Sequence, residues 1–163
     1  MKKTLLVILV MLVAKGTFAQ LPAVSLQTID GKTIDTSTLG NDGKPFVISF
    51  FATWCKPCLR ELTAIHEVYA DWHNETGVKI YVVSIDQAQN SQKVKPLVDG
   101  LGWEYEVLLD PNGDFKRAMN VNLIPHVFVI NGTGQIVDSR SGYTDGSEEH
   151  IIQILRELIK GTK

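Results

Sequence analysis

Residues 46–58 of the chain have the sequence FVISFFATWCKPC. The first six form an almost continuous apolar run, which is typical of a β-strand covered on both faces. Cys55 and Cys58 follow this run directly. Beyond Cys58, apolar residues recur at helical spacing and predict a helix from about residue 56 to about residue 74. The two cysteines should therefore lie where a central strand leads into a helix.

The spacing of the two cysteines favours redox chemistry over a structural role. Residues i and i+3 at a helix start are neighbours, so Cys55 and Cys58 can form a disulfide that opens and closes. Closing so short a loop contributes little entropic stability. The helix dipole, its unpaired N–H groups and Lys56 would lower the pKa of Cys55, and Pro57 fits the first helical turn. Cys55 is thus the predicted nucleophile and Cys58 the resolving thiol.

A metal site is the main alternative for two cysteines at this spacing. Structural zinc requires four ligands, and the sequence contains no second cysteine pair and no histidine pair at a zinc-finger spacing. We interpret His66, His73, His126 and His150 as surface or partly buried residues rather than ligands. We therefore predict no metal and no cofactor.

Strand and helix patterns alternate through the rest of the chain. The pair Asp30-Gly31 predicts an N-terminal β-hairpin. Further strands are predicted at residues 78–85, 107–109, 126–130 and 135–140, and helices at residues 91–98, 115–120 and from 147 onward. Ser91 is the predicted N-cap of the first of these helices. The alternating middle and the final hairpin indicate an α/β fold with a mixed central sheet flanked by helices.

The first nineteen residues predict a signal peptide. Lys2 and Lys3 precede an apolar run, and the segment ends at the small residue Ala19, as a signal peptidase prefers. The apolar run is about half the length needed to cross a bilayer. A short membrane anchor or a buried first helix is the alternative interpretation. We predict that residues 1–19 are removed and that residues 20–163 form one exported domain.

The charge balance excludes some classes of partner. Three of the 16 basic residues lie in the predicted signal peptide, which leaves 13 against 18 acidic residues, a net charge of about −5. Binding of nucleic acid or of an anionic membrane normally requires clustered lysine and arginine, and the sequence shows no such cluster.

The cysteine motif and the later pair Ile124-Pro125 resemble the thioredoxin superfamily. Thr53, Glu61 and residues 109–113 are similar to its exported TlpA/ResA branch. Over nearly all of the mature chain, the resemblance implies a thioredoxin-like fold with an N-terminal β-hairpin and an extra βα insertion. It also implies a cis peptide bond before Pro125, beside the cysteines, where backbone groups bind an extended substrate segment.

Further substrate contacts are predicted around the cysteines and Pro125. Trp54 could be a platform for substrate or a shield for the cysteines. Ile124 and His126 flank Pro125 in the loop expected to face the cysteines. His126 is interpreted either as a titratable donor beside the substrate or as an ordinary loop histidine.

The resolving step needs an acceptor for the proton of Cys58. Where thioredoxin has a buried aspartate in the central strand, this chain has Ser49, so the carboxylate must come from elsewhere. Glu61 lies three residues beyond Cys58, near it on the helix surface, and is the predicted acceptor. The alternative is that Glu61 points to water.

The leading hypothesis is an exported protein-disulfide reductase in the periplasm of a bacterium. It would act as a monomer on disulfide-containing or dithiol proteins, together with a membrane or envelope redox partner. A disulfide oxidant or isomerase would use the same chemistry, and its direction depends on the reduction potential of the pair. A thioredoxin-like binding module with incidental cysteines is the third hypothesis, against which the intact Trp-Cys-Lys-Pro-Cys motif argues.

Overall fold

A computed structural model describes residues 21–161, where the chain forms seven β-strands and five α-helices. The strands are β1 (Ser25–Thr28), β2 (Thr33–Asp35), β3 (Phe46–Phe51), β4 (Lys79–Ser84), β5 (Glu106–Leu109), β6 (His126–Ile130) and β7 (Ile136–Ser141). The helices are α1 (Lys56–Thr76), α2 (Ala88–Ser91), α3 (Val94–Leu101), α4 (Asp114–Ala118) and α5 (Glu148–Lys160). The predicted signal peptide lies outside the described residues. Within them, no helix combines the length and the hydrophobicity needed to cross a membrane.

The strands form one mixed sheet in the order β2-β1-β5-β4-β3-β6-β7. Strands β3, β4 and β5 are parallel, whereas β6 runs antiparallel to β3 and β1 runs antiparallel to β5. The predicted N-terminal hairpin is β1–β2, and its turn contains Gly31 at a φ of 83°. Helices α2 and α3 and strand β5 form the extra segment after β4. The cysteines follow the end of a central strand, as predicted.

Both faces of β3 are buried, as its apolar sequence predicts. On one face the core includes Phe50, Phe115 of α4 and Phe128 of β6. On the other face it includes Phe51 together with residues of α1, α3 and α5 and both cysteines. We call this second side the cysteine face of the sheet. A slip of one residue in the register of β3 would exchange the two faces, and full burial of each phenylalanine is worth about 1.5–3 kcal/mol.

Helix α1 begins at Lys56, as the sequence predicts, and ends within two residues of the predicted end. Cys55 is its N-cap, and Gly77 ends it in the left-handed conformation at a φ of 69°. Leu62 and Ile65 are fully buried against the cysteine face. The helix runs two residues beyond the predicted end near residue 74, because the glycine rather than the last apolar residue terminates it.

The prediction for Ser91 is wrong. Ser91 is the last residue of α2, and a separate helix, α3, begins at Val94. The Ser91 hydroxyl donates to the carbonyls of Asp86 and Gln87 instead of accepting a helical N–H. Pro96 lies in the first turn of α3, where its missing N–H leaves no intrahelical bond unmade.

The loop between β6 and β7 contacts the loop before β3 closely. A Cβ atom at Gly132 would lie 1.8 Å from the backbone oxygen of Gly43. A glycine is therefore required at this position by space rather than by backbone conformation.

Candidate active site

Cys55 and Cys58 form a disulfide with their Cα atoms 5.3 Å apart. The backbone N–H of Cys58 donates to Cys55 Sγ at 3.3 Å, so the sulfur takes the place of an N-capping oxygen. Cys55 is 6% exposed, whereas Cys58 is completely buried. Only Cys55 can therefore be reached by an external thiol or disulfide.

The environment of Cys55 stabilises negative charge on its sulfur. At the start of α1, the N–H group of Cys58 donates to Sγ, and the positive end of the helix dipole points toward it. Lys56 is the first residue of the helix and is exposed beside it, and Pro57 lies in the first turn as predicted. A thiolate formed at Cys55 on reduction would be favoured by all of these charges.

Glu61 lies one turn beyond Cys58 on α1 and is 2% exposed. The side chain points inward to the cysteine face, so the alternative interpretation, in which Glu61 points to water, is wrong. Burial raises the pKa of Glu61 from 4.5 to about 7. Its carboxyl group can therefore be protonated or ionised near neutral pH, as general acid–base chemistry requires.

Smaller contributions adjust the pKa of Glu61. The positive charge of Arg140 lowers it and the negative charge of Glu148 raises it. Ser49 on β3 lies close enough to favour the ionised form slightly, although neither Ser49 Oγ nor Glu61 Oε2 makes a hydrogen bond of normal geometry with the described residues. Burial remains the dominant cause because no donor fully compensates the lost water.

An open groove of about 510 Å³ lies beside the disulfide. Its most exposed apolar side chains are Trp54 and Leu123, which are 65% and 61% exposed. A tryptophan so exposed presents its ring to solvent and is available as a platform. The lining residues are Trp54, Cys55, Lys56, Pro57, Ile85, Lys116, Asn122, Leu123 and Ile124.

The structure brings Ile124 to the groove but not His126. Ile124 lines the groove, and the Ile124-Pro125 peptide bond is cis. The ring of His126 lies against Phe128, with centroids 4.4 Å apart, on the face opposite the cysteine face. Its two ring nitrogens contact the hydroxyl groups of Ser139 and Ser141 at 2.9 and 2.8 Å. Burial also lowers the pKa of His126.

Sequence reasoning missed Asp86, which holds the loop before the cysteines. Its buried carboxylate accepts hydrogen bonds from the Thr53 N–H at 2.8 Å, the Thr53 hydroxyl at 2.7 Å and the Ser84 hydroxyl at 2.8 Å. A signal was present, because Asp86 and Thr53 each closely follow one of two adjacent parallel strands. The carboxyl ends of such strands meet at one edge of the sheet.

Comparisons with known proteins agree with this site. A model of the AhpC/TSA family matches residues 18–139. Sporulation thiol-disulfide oxidoreductase A of Bacillus subtilis is 30% identical over 123 residues, which cover 74% of this chain and 72% of that protein. Thiol-disulfide oxidoreductase ResA of Halalkalibacterium halodurans is 28% identical over 135 residues, covering 83% and 72%.

Solved structures show the same similarity. A thioredoxin-like protein from Porphyromonas gingivalis has 67% sequence identity and a TM-score of 0.79, covering 88% of this chain and 94% of that one. StoA from Bacillus subtilis has 25% identity and a TM-score of 0.64, covering 82% and 96%.

The family match spans most of the chain and includes the strand, the cysteine pair and the helix start described above. The two solved structures resemble the fold of this chain over more than four fifths of its length. The chain therefore belongs to the AhpC/TSA family and has a thioredoxin-like fold.

Proposed function

We propose that the reduced protein reduces disulfides in exported proteins through Cys55 and Cys58. The Cys55 thiolate attacks one sulfur of the substrate disulfide, forms a mixed disulfide and releases the other substrate sulfur as a thiolate. The Cys58 thiolate then attacks Cys55, which closes the intramolecular disulfide and releases the second substrate thiolate. Two electrons pass from the protein dithiol to the substrate, and the two protons lost by the protein thiols balance the two gained by the substrate.

The observation that best supports this proposal is the position of Cys55. Its sulfur caps a helix start and lines an open groove with exposed apolar side chains, while Cys58 is buried behind it. This asymmetry supports attack by Cys55 and resolution by Cys58. Relatives named thiol-disulfide oxidoreductases support the reaction class. An oxidant would use the same two residues in the opposite direction, and an isomerase would use them without net electron transfer.

Within this mechanism, Glu61 accepts the proton of Cys58. A fully buried thiol loses its proton reluctantly, because burial disfavours the thiolate. Glu61 lies one turn along the same helix, is buried on the same face and has a pKa raised to about 7. A carboxylate with that pKa can take up a thiol proton at neutral pH and release it afterwards.

The proposed setting is the bacterial periplasm. The predicted signal peptide would export the chain, and the groove beside Cys55 would bind an extended segment of a substrate protein. A membrane or envelope dithiol partner would return the Cys55–Cys58 disulfide to the reduced form. The protein would act as a monomer.

Insulin reduction by dithiothreitol tests the assigned roles, with residues 1–19 omitted from the protein. We expect catalysis by the wild type and none by Cys55→Ser. We expect Cys58→Ser to accumulate a mixed disulfide through Cys55, which mass spectrometry detects. If Cys58 proved to be the trapping thiol in Cys55→Ser, the two roles would be reversed.

Stopped-flow measurement of mixed-disulfide resolution tests Glu61. Glu61→Gln keeps the side-chain shape and removes the acid, so resolution at neutral pH should slow by about 10²–10⁴-fold. Glu67→Gln, an exposed position on the same helix, is the matched control and should resolve at the wild-type rate. Wild-type kinetics in Glu61→Gln would show that the proton leaves through solvent.

The direction of electron flow is tested by the reduction potential of the Cys55–Cys58 pair. A value near about −270 mV, as in thioredoxin, supports a reductase, whereas a value near about −120 mV supports an oxidant. We expect the former. Equilibration with glutathione or dithiothreitol buffers gives this value directly.

A further inference from the structure

Two lysines border the groove beside Cys55. Lys56 and Lys116 both line it. Within residues 21–161 neither forms an ion pair, whereas Lys79 and Lys95 contact carboxylates at 3.0 and 3.1 Å. The two ammonium groups at the groove are therefore available to a ligand.

A second groove of about 630 Å³ shares Trp54, Ile85 and Lys116 with the first. Arg117, which forms an ion pair with Asp114, and the amide side chains of Gln87 and Asn90 line it as well. In the part of the chain that the structure describes, no aspartate or glutamate lines either groove. The protein as a whole has more acidic than basic residues, so this surface departs from the average charge of the chain.

Two buried carboxylates on neighbouring segments, Asp86 and Asp110, form no ion pair with Lys56 or Lys116. Asp86 is occupied by the hydrogen bonds from Thr53 and Ser84 described above. Asp110 accepts the backbone N–H groups of Phe115 at 3.3 Å and of Lys116 at 2.8 Å. Both side chains are buried, so neither carboxylate is presented to a ligand at the groove surface.

We propose that this groove selects substrate segments in which an acidic side chain lies beside the reactive cysteine and an apolar side chain contacts Trp54 and Leu123. The inference rests on the proposed function and names the substrate class of the same site. In an extended segment, a residue two positions from the cysteine is about 7 Å away. Because Cys55 and Lys116 line the same groove, a segment lying in it can present a sulfur to Cys55 and a nearby carboxylate to Lys116. Charge attraction of this kind raises the rate of encounter and favours one orientation.

Two matched peptide disulfides test the proposal. They have identical sequences with one leucine, and differ only in glutamate or lysine two positions from the cysteine. The measured quantity is the second-order rate constant for reduction by the reduced protein at neutral pH. We expect the glutamate peptide to react about tenfold faster at about 20 mM salt, with the preference falling several-fold at about 500 mM.

Variants separate the local charge from the net charge. Lys116→Glu should lower the preference for the glutamate peptide by at least about tenfold, and Lys116→Gln, which keeps a flexible aliphatic stem, should give an intermediate value. Lys93→Glu changes the net charge by the same amount as Lys116→Glu, but at an exposed site outside both grooves. It should leave the preference for the glutamate peptide within about twofold of the wild-type value. The intrinsic reactivities of the peptides cancel in these ratios.

The possible failures are distinguishable. If the reduced wild type reduces neither peptide nor a neutral disulfide such as hydroxyethyl disulfide, the proposed function itself is wrong. If it reduces both peptides at equal rates at low salt, only the inference on substrate charge is wrong. That inference is also wrong if Lys116→Glu and Lys93→Glu change the preference by the same factor.

Discussion

The protonation of Glu61 should make the stability of the oxidised protein depend on pH. The pKa of Glu61 is 4.5 when the side chain is fully solvated and about 7 when burial disfavours its charge. Between these values the folded protein binds more protons than the unfolded chain. The stability contributed by the protonated carboxyl group is therefore complete below about pH 4.5, and it is lost as the pH rises through about 7.

The size of the effect follows from the two pKa values. A change of one pKa unit corresponds to about 1.4 kcal/mol, so the difference between the pKa values of Glu61 in the unfolded and the folded protein corresponds to about 3 kcal/mol of stability. Glu61→Gln cannot ionise, so its free energy of unfolding lacks this dependence. Relative to the wild type, we expect the variant to gain about 2–3 kcal/mol in stability between about pH 5 and about pH 9.

Urea unfolding without a reducing agent measures this difference. Free energies of unfolding are obtained by linear extrapolation at several pH values for the wild type, Glu61→Gln and Glu67→Gln. Other titrating groups contribute equally to all three proteins and cancel. The exposed control should follow the wild type across the whole range. A free-energy difference between the wild type and Glu61→Gln that stays constant with pH would refute the raised pKa of Glu61.

Three further changes test other contacts. Gly132→Ala should lower the free energy of unfolding by about 1–3 kcal/mol or more, because the added Cβ would strike a backbone carbonyl. The control Gly100→Ala lies in open space within α3 and should raise the free energy of unfolding by about 0.5–1 kcal/mol. Equal effects of the two changes in urea unfolding would contradict the close approach at Gly132. Thr53→Val should lower the free energy of unfolding by about 1–3 kcal/mol, because it removes a hydrogen bond to the buried carboxylate of Asp86. An unchanged midpoint of urea unfolding would show that this hydrogen bond is dispensable. His126→Thr should leave the pH dependence of insulin reduction between about pH 5.5 and about pH 8 unchanged, because the ring faces away from the cysteines. A change in this pH dependence would instead support the predicted role of His126 as a titratable donor.

The local structure around the cysteines could be predicted because its determinants are adjacent in the chain. The apolar run of β3, the helical spacing after Cys58 and the glycine at position 77 each specify one element through short-range rules. The same rules placed Cys55 at a helix start, from which its reactivity follows. The prediction of a thiol–disulfide oxidoreductase is confirmed by relatives of that name. Ser91 was misassigned because a serine can either cap a helix or bond to preceding carbonyls, and periodicity does not distinguish these.

The properties of the site that depend on distant residues were decided by the tertiary structure alone. Spacing along α1 placed Glu61 near Cys58 but left open whether it faced water, and only the packing of α1 against β3 buries it and raises its pKa. The face of the sheet to which His126 points depends on the register of β6 against β3. The contact between Thr53 and Asp86 joins residues 33 positions apart. Sequence periodicity reports which side of an element is apolar, whereas burial, charge and pKa depend on which elements the fold brings together.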